Sequence, residues 1–399
     1  MNISVICSSY PRYAGDSMAP FVRSISEGLM NLGNRLEIVA PYDNAVELDQ
    51  DTRLPVHRFR YSFVDQWNIM GHAKALEGDN TLKAGAYFLI IPYLITGTFE
   101  LLRSTKRNRS EAIHAHWSIP NGLIGLIVSK IRRIPYIVSL HGSDIFVSKK
   151  NYLFGAINKM VLKNAKAITA CSQELYGYSQ ANGGSGRTHL IAWGADPNIY
   201  IPVSDKRILR EQAGVPKDGL IISALGRLVP KKGFNVLIEA FAKADTTKNT
   251  YLLIGGSGPQ DTTLRRLAEN LGVTDRVIFP GPIAWRDTPN FLNIGDIFVL
   301  PSIRDPHGNM DGLPTVLLEA MSCGQACIAS DIGGVHLVVK HTKNGLLVRE
   351  SSVEDLIVAL NKLIKDRKLC SELGRAARRS IMDTFNWDNV SVKIREILN

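Results

Sequence analysis

The chain has 399 residues, 45% hydrophobic and 21% charged, a composition that excludes a fibrous or disordered protein and supplies enough apolar side chains for two domains with full cores. Cys7, Cys171, Cys323, Cys327 and Cys370 are too scattered for a disulfide framework, and the one close pair, Cys323 and Cys327, lacks the second Cys/His pair of a zinc site. The formal charge of +10 is concentrated in residues 101 to 150, which hold nine Lys and Arg against two Asp and Glu; no interleaved aromatics accompany it, which argues against nucleic acid as a partner.

The first element predicted is a strand at "ISVICSS", with no basic region ahead of it, so it is read as core and not as an export signal. It runs into "YPRYAGDSMAPFVRSISEGL", a turn around Gly15 and Asp16 followed by a helix, which can present N–H groups and a helix dipole to phosphate. "RLEIVAP" is the next strand. Residues 84 to 102, "AGAYFLIIPYLITGTFELL", contain Pro92 and Gly97, and only sixteen residues precede Glu100. A spanning helix takes about 20 apolar residues, so this segment is read as a buried or interfacial helix, with the basic run "RSTKRNR" directly after it. Strands at "EAIHAHW", "PYIVSLHG" and "AITACS" follow. Strand side chains alternate between faces, so one at most of His114 and His116 is expected to reach the binding loops, His116 being nearer the strand end.

"IAWGADPNIYIPVSDKR" is rich in Pro and Gly without a sustained period, and the domain boundary is placed near Tyr200. The strand series then repeats as "LIISALGRL", "TYLLIGGSG", "RVIFPG", "DIFVLPS" and "ACIAS". Such runs, separated by helical patterns, indicate an α/β chain with parallel sheets covered on both faces, whose ligands sit at the carboxyl ends of the strands. "GRLVPKKGF" brings Arg227 and Lys232 to one such end, where two cations suit an anion. "GGSGP" matches neither a Walker-A loop nor a full dinucleotide fingerprint, so hydride transfer is not indicated. In "GNMDGLPTVLLEAMSCG", Pro314 suits a first helical position and Gly324 a C-terminal cap. Asp311 then lies in the preceding loop and Glu319 on the second turn. The loop through Gly312, Leu313 and Pro314 and the helix start suit a diphosphate, and Glu319 can accept hydrogen bonds from ribose hydroxyls, leaving Asp311 for a sugar. "FNWDNVSVKIREILN" has helical spacing and is expected to cross back to the first domain.

With these motifs in this order, the chain resembles the retaining glycosyltransferases of family four, also called group 1. The likeness covers nearly all of it: "DGLPTVLLEAMSCG" matches the family's Glu-x7-Glu motif, "GRLVPKKGF" its pyrophosphate site, "HAHWSIPNG" and "SLHGSD" its first-domain strand ends, and "YPRYAGD" its first glycine loop. The resemblance implies a GT-B fold of two facing Rossmann-like domains with a deep interdomain cleft. Residues 1–200 would form an acceptor-binding domain, 201–384 a nucleotide-sugar-binding domain, and 385–399 a helix packing toward the first. It further assigns Gly15 to the donor loop, Arg227 and Lys232 to the diphosphate, Glu319 to the ribose, and His141 and Asp311 to the sugar and reacting centre. Many members carry Glu at the position of Asp311, which is one methylene shorter. His116 is expected at the acceptor, and Asp144 either orients a loop or binds acceptor hydroxyls.

The implied activity is transfer of a hexose, with retention, from a nucleoside diphosphate donor to a hydroxyl of a lipid-linked or saccharide acceptor, in cell-envelope glycolipid or polysaccharide synthesis. These motifs carry no Asp-x-Asp pair, and the cations at the diphosphate would take the place of a metal, so no metal and no cofactor is expected. The alternatives are a GT-B epimerase or hydrolase, which would turn over donor without acceptor, and a noncatalytic nucleotide-binding membrane partner. The expected location is cytoplasmic, peripheral on the inner face of the membrane, where the basic run would meet an anionic surface.

Overall fold

Every one of the ten runs quoted above forms a strand, and each pairs in parallel with its neighbours. The computed structural model describes all residues except 14, 17, 48–52, 73, 78–80 and 307. The chain divides into two units, Met1–Ala192 with Trp387–Asn399, and Trp193–Asn386. In the first, the strands are β1 (Asn2–Ile6), β2 (Arg35–Pro41), β3 (Val56–Phe59), a separate antiparallel pair of β4 (Leu76–Glu77) and β5 (Thr81–Leu82), β6 (Ala112–His116), β7 (Tyr136–Leu140), β8 (Ala167–Ala170) and β9 (Thr188–Leu190). Seven of them form one sheet in the order β3-β2-β1-β6-β7-β8-β9. Residues of β6 and β7 are buried along their whole length, as a sheet covered by helices on both faces requires.

The second unit contains β10 (Leu220–Leu225), β11 (Thr250–Gly255), β12 (Val277–Gly281), β13 (Ile297–Leu300), β14 (Ala326–Ser330) and β15 (Leu346–Val348), in the order β12-β11-β10-β13-β14-β15. In each unit the chain changes its direction of travel across the sheet at one point, between β1 and β6 and between β10 and β13. A crevice opens there because the connections on either side leave toward opposite faces.

The division falls at Ala192 and Trp193, ahead of Tyr200, where the sequence placed it. Residues 193–200 are held by the second unit: Ala195 N donates to Phe385 O at 2.9 Å, and Arg378 Nη2 donates to Pro197 O at 2.9 Å. The terminal helix, Trp387–Leu398, returns to the first unit and buries Val390, Ile394 and Leu398 in its core. Gly28 permits this packing, since a methyl group there would collide with Ser391.

The apolar stretch forms one helix, Ala84–Arg107. Ala86, Leu89, Tyr93 and Leu101 are buried, and Tyr93 Oη donates to Asn121 Oδ1 at 3.1 Å. Gly97 lets the helix approach Phe59 and Ile124. Phe88, Ile91, Ile95 and Phe99 follow one another at intervals of three and four residues and are all more than half exposed, so the opposite stripe is an apolar face turned outward. The neighbouring helix, Leu123–Arg132, adds exposed Ile131.

Candidate active site

In the second unit the chemistry gathers at the switch between β10 and β13. After β10 the chain passes exposed Arg227 and makes a 3-10 turn over Pro230–Lys232, which Gly233 ends in a left-handed conformation, φ 64°. A side chain at Gly233 would strike the carbonyl of Pro301, so glycine is needed for the following helix to sit against the end of β13. The Gly-rich loop after β11 rests directly on this segment: Leu228 N donates to Ser257 O at 2.9 Å, and a Cβ at Gly256 or Gly258 would collide with the backbone of Gly226 or Leu228. Its glycines therefore serve close backbone approach.

Lys231 and Lys232, 8% and 9% exposed, converge on one carboxylate. Lys231 Nζ lies 3.0 Å from Asp311 Oδ1 and Lys232 Nζ 2.6 Å from Asp311 Oδ2, while Ser302 Oγ donates to Oδ2 at 3.3 Å. Burial alone would raise the Asp311 carboxyl, but the charges of Lys232 and Lys231 outweigh it and hold it well below the usual carboxylate range. The loop continues through half-buried Gly312, buried Leu313 and half-buried Pro314. Pro314 is the N-cap of the Thr315–Ser322 helix, with ψ 121°, one residue ahead of the first helical position expected for it. The helix ends in a Schellman arrangement, Gln325 N to Ala320 O and Gly324 N to Met321 O at 3.2 and 3.0 Å. Glu319 lies on its second turn, hydrogen-bonded by Tyr200 and Thr315; burial nevertheless pushes its carboxyl up to about 7. Tyr200 is fixed in turn through its carbonyl, which accepts from Ser322 Oγ at 2.8 Å.

In the first unit the loops after β1, β6 and β7 converge. Gly15 has φ 86°, which favours glycine. Asp16 beside it is buried and accepts from Arg12 N and Arg12 Nε at 3.0 and 2.7 Å and from Met18 N at 3.1 Å, closing the turn. Ala14 and Ser17 of the same loop lie outside the described residues.

His114 and His116 correct the expectation that only one would face the loops. They are two residues apart, so the pleat puts both on the same face, and their ring centroids are 4.2 Å apart. Both are fully buried. His114 Nε2 is 2.8 Å from Ser139 Oγ and His116 Nδ1 3.1 Å from His141 Nε2, so His116 stands behind partly exposed His141 and sets its ring. Burial lowers all three histidines, His114 and His141 to about 3, and they are neutral at pH 7. Trp117, at φ 68°, packs on His141 with centroids 4.5 Å apart. Asp144 is buried and accepts from Ser118 N at 2.8 Å, Ser118 Oγ at 3.0 Å and Gly142 N at 3.0 Å, tying the loop after β6 to the turn after β7.

Two family models meet in this chain, "Glycosyl transferase 4-like domain" over residues 17–194 and "Glycosyl transferases group 1" over residues 205–380. The chain belongs to the group 1 glycosyltransferases. The enzyme is 25% identical to the N-acetyl-alpha-D-glucosaminyl L-malate synthase of Bacillus anthracis, across 78% of this chain and 80% of that one. It is 28% identical to a GDP-mannose-dependent alpha-(1-6)-phosphatidylinositol monomannoside mannosyltransferase of Mycolicibacterium smegmatis, across 70% and 74%. Sucrose-phosphate synthase from Thermosynechococcus elongatus shares the fold, with TM-score 0.78, 21% identity and coverage of 100% and 98%. The two parallel sheets are the Rossmann-like units of a GT-B glycosyltransferase.

For this group 1 glycosyltransferase, the structure joins Lys232 to Asp311, residues that the sequence motifs treat separately, and brings to the candidate site Lys231, Trp117 and Tyr200, none of which the sequence offered as a site residue. Lys231 was legible as the second lysine of "PKK"; its turn toward the same carboxylate was not. An Asp-x-Asp sequence does occur, Asp49-Gln50-Asp51; it is separate from the strand-end motifs and lies outside the described residues.

Proposed function

We propose that this glycosyltransferase moves a hexose, with retention and without a metal, from a nucleoside diphosphate to a lipid-carried acceptor of the cell envelope, at the inner face of the membrane. The observation that carries the donor half is the pair of buried lysines at the β10–β13 switch. A diphosphate arriving there competes with Asp311 for Lys232 and Lys231, while Arg227 and the start of the Thr315–Ser322 helix add further positive potential. Glu319 would take the ribose and Asp311, once it yields a lysine to phosphate, the sugar. Charge grows on the diphosphate as the anomeric bond breaks, and these cations stabilise it. The acceptor hydroxyl attacks from the face the diphosphate leaves, and a phosphate oxygen takes its proton. No separate protein base is needed, in keeping with the full burial of His116 and its bond to His141. Gly15 and His141 are the first unit's own candidates for donor contact, as the family resemblance implies, and Asp144 would hold the acceptor loop.

Product mass analysis after incubation with UDP- and GDP-sugars and with lipid-linked or soluble acceptors tests this reading. Donor turnover without any acceptor product would favour the hydrolase or epimerase. Transfer should survive EDTA largely intact; complete loss restored by Mg2+ or Mn2+ would remove the lysines from the role given them.

The membrane half rests on the outward apolar stripe of the Ala84–Arg107 helix and the basic run at its end. Arg107 is partly committed, its Nη2 lying 2.9 Å from Glu37, and Arg103 Nη1 lies 3.7 Å from Glu100. Lys106 and Arg109 are exposed beside them, as are Lys130 and Arg133. At about 1 kcal/mol per cation near an anionic surface, with insertion of Phe88, Ile91 and Ile95, reversible attachment follows. The protein should co-sediment with anionic vesicles at low salt and be released at high salt, because the surface field decays over about 8 Å at physiological ionic strength. Replacing Arg103, Lys106, Arg107 and Arg109 by Gln should have the same effect. Wild type remaining in the supernatant at low salt would point to a soluble acceptor.

A further inference from the structure

A cavity of about 150 Å3 opens within the first unit at the carboxyl ends of β1, β6 and β7, walled by Met70, Ile90, Trp117, Ile119, Val147 and Phe154. We propose that it holds the alkyl chain of the acceptor, immediately next to the hydroxyl that is glycosylated. Three observations point to a neutral chain and not to an anionic headgroup, in a lining that also carries Ser8, Ser9 and Ser143. Among the described residues the lining contains no lysine or arginine. Its one carboxylate, Asp144, is engaged by Ser118 and Gly142 and would repel a phosphate. The cavity wall also borders the helix with the outward apolar face: Phe154 stacks on Tyr87 at 6.3 Å and 11°, and Ile90 lines the cavity from the same helix that exposes Phe88 to 85% and Ile91 to 67%. Tyr152, 94% exposed, and Leu153 stand beside Phe154. A chain leaving a bilayer would therefore stay on apolar surface from the helix to Trp117, whose ring packs on His141.

The proposal rests on the reading of a lipid-carried acceptor, and its test is separable from that reading. Binding of n-alkyl β-glucosides from methyl to nonyl, each below its micelle concentration, is measured by calorimetry. Wild type should bind each longer homologue about four-fold more tightly per methylene buried, with a plateau once the cavity is full. Val147→Trp, its fold checked by circular dichroism, should flatten the series. A second readout guards against misfolding of that variant: an ω-bromo-octyl glucoside should quench wild-type tryptophan fluorescence, and most of the quench should vanish in Trp117→Phe. A flat series in wild type, a series unaltered by Val147→Trp, or equal quenching in both proteins overturns the assignment. Transfer by wild type to soluble saccharides alone would instead overturn the lipid-acceptor reading, leaving the homologue series to judge the cavity.

Discussion

Asp311→Ala is expected to cost about 3–5 kcal/mol of stability, because it leaves two nearly buried lysines facing each other without their counter-charge. It should also remove sugar-dependent binding and turnover. Urea unfolding at neutral pH checks the first effect, and titration with nucleotide sugar against free nucleoside diphosphate the second. The pH dependence has a definite sign. The folded-state carboxyl is held below its unfolded value of about 3.9, so its stabilisation is complete above that pH and is lost as pH falls through the folded value. The gap between wild type and variant should therefore begin to narrow below pH about 4 and go on narrowing as the pH falls toward the folded value; a gap that does not narrow there at all would mean Asp311 acts through packing alone. Glu319→Ala gives the contrast. It should weaken free nucleoside diphosphate and nucleotide sugar alike, by about 1.5–3 kcal/mol for one charged hydrogen-bond partner. Equal, normal affinities in both variants would leave the two carboxylates without a part in donor binding.

His141→Ala is expected to lower turnover roughly 10²-fold, the scale seen when one polar contact to a reacting centre is removed, while nucleoside diphosphate affinity stays unchanged. The separation follows from the placement of the residues: His141 directly follows β7 in the first unit, whereas Arg227, Lys232 and Glu319 belong to the second. Its ring is held by His116 behind it and by Trp117 beside it, so the truncation removes one contact from an otherwise rigid wall. The loss should appear in kcat, as for an interaction made only at the transition state. Near-normal turnover would end the role.

The sequence by itself determined ten of the strands, the two-unit organisation, the family and the order of the motifs, because fully buried parallel strands need continuous apolar runs and strand-end loops need glycine at positions such as Gly15 and Gly233. It did not reveal β3, β9 and β15, each at the edge of its sheet. Their three or four residues carry no pattern of their own and extend only because a neighbour supplies hydrogen bonds. The same-face placement of His114 and His116 was present in their spacing and follows from the pleat alone. What only the tertiary structure decided is which charges meet. Lys231 and Lys232 are adjacent in sequence and Asp311 is remote, yet the 3-10 turn after β10 and the loop after β13 bring both ammonium groups to one carboxylate. The outward face of the Ala84–Arg107 helix was likewise settled by packing, since both of its stripes are apolar and only the fit of Gly97 against Phe59 and Ile124 selects the one that is buried.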